Sequence, residues 1–157
     1  MNKDIYLRPL TVGDAATSWR WRNDASIWKY TGSHPDRVIT EDMERQWAAK
    51  VIADPSRLNY AICCKADNRY IGNVYIVNIH GTTGELGIFI GDSLARGHGY
   101  GLCALNLLKA EARARGLKRI LINVARDNVS AIIVYFKSGA RLSDCRVGDW
   151  LQMSIDI

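Results

Sequence analysis

Two stretches of the chain hold residue types whose spacing suits chemistry. The first is Glu85 to Leu102, ELGIFIGDSLARGHGYGL, where a strand-like apolar alternation runs into a basic, glycine-dense turn, Arg96-Gly97-His98-Gly99-Tyr100-Gly101, and out into a helical pattern. Three glycines in five positions suit a backbone that must approach something closely or take dihedrals closed to other residues. At a helix entrance such a turn aims free N–H groups at one point, where the helix dipole also favours negative charge. Arg96 adds a fixed positive charge suited to phosphate. The chemistry implied is a pyrophosphate cradle between a strand and a helix. The second stretch is Asn128 to Gly139, in which Asn128, Ala131, Tyr135 and Gly139 share a helical spacing.

The elements that must position these groups follow from local pattern. Asp4–Leu10 reads as a first strand ending at Pro9, and Thr11-Val12-Gly13-Asp14 has capping-box spacing before a helix carrying Trp19 and Arg22. Gly32 to Asp36 is a loop, and Thr40 caps a second helix with an acidic first turn that runs to Ile52, before Asp54-Pro55. Leu58–Lys65 and Tyr70–Ile79 read as strands joined by the hairpin loop Ala66–Arg69, and Glu85–Ile90 is a fourth strand after the turn Gly81–Gly84. Gly101–Arg115 is a helix with Ala104, Leu105, Leu108 and Ala112 as its apolar stripe and Gly116 beyond its end. Arg119–Ala125 is a buried strand, Asn128–Lys137 a shorter helix, and Ala140–Arg146 with Trp150–Ile155 a closing hairpin. The order β-α-α-β-β-β-α-β-α-β-β describes a mixed α/β domain, and 157 residues suit one such domain spanning the chain.

Other phosphate loops do not fit. There is no GxxxxGK(S/T) string, the glycines at 97, 99 and 101 miss the GxGxxG spacing and follow a meander, and the partners of a kinase glycine loop are absent. What remains is arginine or glutamine, two residues, glycine, one residue, then glycine or alanine, met by Arg96, Gly99 and Gly101. With Asn128-x-x-Ala131-x-x-x-Tyr135-x-x-x-Gly139, this resembles the cofactor-binding half of the GNAT N-acetyltransferases. Ala140 stands where that family often has phenylalanine, a difference of packing more than chemistry.

The resemblance implies a GNAT-like fold, a mostly antiparallel twisted sheet of about seven strands flanked by about four helices, and acetyl-CoA as cosubstrate without a metal. It implies that backbone groups around Ile88, Phe89 and Ile90 pair with the pantetheine arm, as sheet edges can. The turn Arg96, Gly97, His98, Gly99, Tyr100 and Gly101 then holds the pyrophosphate, and a strand N–H stabilises the thioester oxygen. Tyr135 stands at the family's position for the acid that protonates the leaving thiolate, against packing of helix to sheet as its other role. Glu85 stands where many members carry the base, and its alternation puts it with Gly87 and Phe89, opposite Leu86, Ile88 and Ile90. Asn128 contacts the cofactor, caps its helix, or does both. His98 is a phosphate neighbour or an exposed turn residue, and His80 and Asp92 are reserve bases.

The acceptor side of this fold is shaped by the first two helices, here Trp19 to Asp36, with Trp21, Arg22, Asn23, Trp28 and Tyr30 as candidate substrate-binding residues. The tryptophans also suit a core, and Arg22 also suits pairing with Asp24 or Glu41. Trp21-Arg22-Asn23-Asp24 resembles the branch of ribosomal-protein and nucleotide-sugar acetyltransferases, and Ile71 to Gly87 the amino-sugar N-acetyltransferases. The expected reaction is acetyl transfer to a primary amine, first an amino sugar, free or nucleotide-linked. A polyamine, an aminoglycoside and a protein N-terminus are the other acceptors, and a non-catalytic acyl-CoA-binding module is the alternative of a different class.

Composition bounds the rest. A net charge of +5 favours anionic partners, while the scatter of the basic residues favours a small anionic ligand over nucleic acid. No run of eighteen apolar residues and no secretory h-region is present, so no membrane partner and a cytoplasmic protein are expected. Cys63, Cys64, Cys103 and Cys145 lack metal spacing and read as reduced and structural. A homodimer through the C-terminal strands is what the resemblance implies.

Overall fold

A computed structural model describes residues 4–30 and 34–157, with the side chains of 144–147 also outside the described set. The chain forms β1 (Ile5–Pro9), α1 (Ala15–Arg22), α2 (Ala25–Trp28), α3 (Glu41–Ala53), β2 (Leu58–Cys64), β3 (Tyr70–His80), β4 (Thr83–Ile90), α4 (Tyr100–Ala114), β5 (Arg119–Ala125), α5 (Val129–Lys137), β6 (Arg141–Val147) and β7 (Trp150–Asp156). The strands make one seven-stranded sheet in the order β1-β2-β3-β4-β5-β7-β6. The mixed α/β reading therefore holds. The short α2, capped by Asp24 onto the Ser26 N–H, is the helix the periodicity did not announce, because four residues are too few for a pattern.

Local signals set the element ends. Thr40 accepts from the Met43 N–H at the start of α3, and the capping box of Thr11 with Asp14 opens a short 3-10 turn ahead of α1. Asp14 is also clasped by the Arg8 guanidinium at 2.7 and 2.8 Å, which ties β1 to that turn. The loop expected at Gly32 to Asp36 falls partly outside the described residues, as Gly32 and Ser33 do.

Helices cover both faces of the first strands. On one face Leu86, Ile88 and Ile90 join the core of Ile62, Val74, Ile76, Leu105, Leu108 and Ile122 beneath α4 and α5. On the other face Phe89 packs with Trp21, Tyr70, Ala61 and Val51 against α1 and α3. Cys63 and Cys64 are buried free thiols whose pKa values burial raises, so they ionise less readily than an ordinary thiol.

The sheet is antiparallel except where β4 meets β5. That parallel pairing covers only Thr83↔Arg119, Gly84↔Ile120 and Glu85↔Leu121. Beyond Glu85 the two strands part, while β4 continues to pair with β3 as far as Gly72↔Ile90. The β5-side edge of Leu86–Ile90 thus faces a fork rather than a neighbouring strand.

Candidate active site

The fork gathers the chemistry. Glu85 stands on its last parallel rung, and by strand alternation its side chain shares the α1/α3 face with Gly87 and Phe89. Its Oε2 accepts a hydrogen bond from Asn78 Nδ2, and Asn78 itself takes a left-handed φ of +52° at the end of β3. One step inward, Tyr75 lies flat against Gly87: a Cβ built at 87 would fall 2.0 Å from the Tyr75 ring. Two rungs further, Gly91 is covered in the same way by the Trp21 indole. The two glycines leave shallow places on β4 that aromatic rings fill, so the strand's backbone is packed from the α1/α3 side.

Tyr135 approaches from α5. Burial, with a smaller contribution from the neighbouring Tyr75, pushes its phenol up to about 12. Burial raises Tyr75 too, against the opposing pull of Arg57 and Arg22. Neither hydroxyl has a hydrogen-bond partner among the described residues, although buried phenols ordinarily find one. The two phenols therefore lie near each other, neither spent on another side chain among the described residues. Asn128 caps α5, its Oδ1 accepting from the Ala131 N–H.

The glycine turn is built by backbone conformation. Gly97 and Gly99 sit at φ +78° and +79°, and Gly99 is the N-cap of α4. Gly101 has no left-handed φ; a Cβ there would enter open space. The first N–H groups of α4, on Tyr100, Gly101 and Leu102, have no intrahelical acceptor and point out of the helix end. His98 is held within the turn, its Nε2 3.2 Å from the Leu94 carbonyl oxygen and its ring stacked on Tyr100.

Arg96 is placed differently from the expectation of a free phosphate hook. Its Nε donates to the Ile90 carbonyl at 2.9 Å, its other nitrogens reach the Gly91 carbonyl and Ser26 Oγ, and Asp24 lies 3.9 Å away. The guanidinium thus closes the end of β4 and ties it to α2, and the groups the turn leaves open are main-chain N–H groups. An extended arm on the fork edge and a pyrophosphate at these N–H groups fit this arrangement, because both need the open edge and the unfilled space over Gly101.

The acceptor-side candidates separate. Trp21 is buried between Gly91, Tyr70 and Phe89, with ring centroids 4.8 and 6.0 Å from the last two. Asn23 spends its side chain on the Ile39 N–H and on the carbonyls of Ile39 and Trp19, joining the end of α1 to the entry of α3. Arg22 lies over Trp47 and 3.5 Å from buried Glu44 rather than beside Asp24 or Glu41. Trp28 meets His34, and Tyr30 lies beneath Lys29. Of the reserve bases, Asp92 is committed to the Leu94 N–H and Arg69, and His80 is exposed at the β3–β4 turn. Tyr75, which the one-dimensional pattern does not single out, is brought beside the fork by its pairing with Gly87, and Arg57 lies over its ring.

A seven-stranded sheet with one forked parallel pair thus carries a glycine turn that opens a helix beside the fork. The acetyltransferase (GNAT) domain family matches residues 4–141, and the chain belongs to that family of N-acetyltransferases, whose members use acetyl-CoA. Solved structures carry the same fold. A spermidine N-acetyltransferase from Vibrio cholerae, determined with CoA and spermine, superposes with a TM-score of 0.86 at 21% identity, covering 98% of this chain and 95% of that one. A dodecameric form of the V. cholerae spermidine enzyme gives 0.79 at 20% identity over 98% and 94%. Mycobacterium smegmatis RimJ with CoA-disulfide gives 0.82 at 21% identity over 97% and 81%. At such identities the likeness speaks for the fold alone. No curated protein sequence matches the chain.

Proposed function

We propose that this protein acetylates a primary amine on a small molecule, and that the acceptor is an amino sugar, most suitably one linked to a nucleotide. The observation that carries the reading is the fork, which opens directly after Glu85 with the hydroxyls of Tyr75 and Tyr135 unbonded beside it. Bound acetyl-CoA supplies the activated thioester carbonyl. The edge Leu86–Ile90 orients the pantetheine arm, including groups of Ile88, Phe89 and Ile90. The N–H groups after Gly99 hold the pyrophosphate, and Arg96 keeps the end of that edge in place. Glu85, steadied by Asn78, takes the amine proton directly or through water. Tyr135 gives a proton to the departing thiolate. Trp28, Tyr30 and Arg22 border the acceptor, while Trp21 and Asn23 hold the elements that carry them.

A second reading, a polyamine acceptor, draws on the likeness to the V. cholerae spermidine enzyme. A polycation needs unspent carboxylates. On the α1/α3 side Asp14 is bound by Arg8, and Glu44 faces Arg22 and Ser18. Both buried carboxylates of that side are thus engaged, while exposed Asp42 of α3 meets only the Gln46 amide among the described residues. Assembly through β6, the sheet's outer strand, is also proposed, as the V. cholerae relative is a dodecamer. Steady-state thiol release with a panel of an amino sugar, its nucleotide-linked form, spermidine, an aminoglycoside and a peptide N-terminus tests the reading. The highest kcat/KM is expected for the amino sugars. Preference for spermidine overturns the acceptor, and CoA binding without amine-stimulated thiol release favours a binding module.

A further inference from the structure

Among the described residues, Arg57 is the only arginine that is neither exposed nor within 4 Å of a carboxylate oxygen. The other sheltered guanidinia, on Arg8, Arg22, Arg45 and Arg96, each face an acid. Burial disfavours the Arg57 charge more than Tyr75 and the more distant Asp54 favour it, so an arriving anion would be stabilised beside it. The Arg57 guanidinium lies 5.5 Å from the centre of the Tyr75 ring, and its Nε donates to Asn59 Oδ1. Its two terminal nitrogens have no hydrogen-bond partner among the described residues, which leaves the forked side of the guanidinium for a bidentate acceptor. The neighbouring acid, Asp54, accepts at Oδ1 from the N–H and hydroxyl of Ser56 and attracts Arg57 from beyond 4 Å. Arg57 also lines a cavity of about 390 Å³ with Asp54, Asn59, Tyr60 and Arg115, open where β1 stops at Pro9.

Register places this group relative to the fork. Leu58 faces Ile76 across β2 and β3, so Arg57 precedes it opposite Val77, and Val77 in turn faces Glu85. Arg57 and Glu85 therefore flank β3 on one face, two strand spacings or about 10 Å apart. We infer that Arg57, backed by Tyr75, is an anion subsite for the acceptor, holding a phosphate or carboxylate across β3 from Glu85. This rests on the transferase reading and narrows its acceptor to amines that carry such a group, an amino sugar with a glycosyl phosphate among them.

The test compares an aminohexose 1-phosphate, an aminohexuronate and the uncharged aminohexose as acceptors for the wild type, Arg57→Gln and Arg57→Lys. The wild type is expected to prefer a charged acceptor at least about tenfold in kcat/KM, and Arg57→Gln to shrink that preference by about tenfold to a hundredfold, with Arg57→Lys between them. Which charged acceptor loses more identifies phosphate or carboxylate. Thermal shift with coenzyme A verifies that each variant is folded. Shift by uridine diphosphate, measured with coenzyme A saturating, should appear in the wild type and vanish in Arg57→Gln. An unchanged preference and an unchanged diphosphate shift in a folded Arg57→Gln overturn the subsite. A wild type that binds coenzyme A yet acetylates no amine overturns the transferase reading instead, and the diphosphate shift then decides Arg57 by itself.

Discussion

Tyr135 keeps its proton because burial disfavours its phenolate, and its value of about 12 leaves it protonated throughout the working range of an enzyme. As the donor to a thiolate it is therefore fully charged with its proton at pH 7 and at pH 9 alike. Turnover should hold level as pH rises to about 10, since loss of the donor begins only near the phenol's own raised value. A fall in kcat with a midpoint near 8 or 9, measured with saturating amine, would assign the donor to another group. Tyr135→Phe should lower kcat by about a hundredfold and leave coenzyme A affinity unchanged. Titration calorimetry alongside kinetics separates the two, and full activity in that variant removes the acid role. The residue type and its helical position were legible in one dimension. Its burial and its companion Tyr75 were not, because Tyr75 reaches the fork only by crossing β4 at Gly87.

At the scale of elements, two glycines of the same turn do different work. Gly99 is needed for its dihedral, and Gly101 only for the space its missing side chain leaves. Gly99→Ala should cost about 1 kcal/mol of stability from the left-handed backbone, with weaker coenzyme A binding as the turn adjusts. Gly101→Val should leave the melting temperature nearly unchanged and still weaken coenzyme A by tenfold or more, because its side chain enters the space above the free N–H groups. Equal loss of stability in both variants, read by denaturant unfolding, would refute the distinction. The turn was readable because glycine density is a local signal. The fork was not: an apolar run such as Arg119–Ala125 announces a strand but not how many rungs it shares with β4.

Across the whole molecule, α1 and α3 are joined over the sheet by a buried polar contact. Ser18 Oγ donates to Glu44 Oε1 at 2.9 Å, while Oε2 has no hydrogen bond although Arg22 Nε lies 3.5 Å away. At that separation the contact is an ion pair without hydrogen-bond geometry. Burial raises the Glu44 carboxyl, and Arg22 and Ser18 only partly offset it. An acid raised in the folded state favours folding while protonated, and that advantage is lost as pH climbs from its ordinary value through its raised one. Glu44→Gln should therefore be more stable than the wild type at pH 8, by about 1 kcal/mol or about 3 °C, and should lose its advantage near pH 4. Thermal melts across that range check it; a variant less stable at pH 8 would show that the Arg22 pairing outweighs burial.

The sequence by itself determined the elements and their order. Alternation, helical stripes, caps at Thr11 and Thr40 and the glycine turn all act within a few residues, so a one-dimensional reading reaches them. Tertiary structure alone decided which strands are neighbours, that β4 and β5 part after Glu85, and that the Arg96 guanidinium turns back onto β4. It also decided which rings fill the shallow places over Gly87 and Gly91, and that Arg57 lies over the Tyr75 ring. These depend on groups far apart in the chain meeting at one place. The burial that raises Tyr135 and lowers Arg57 is a property of the assembled surroundings, not of the residues themselves.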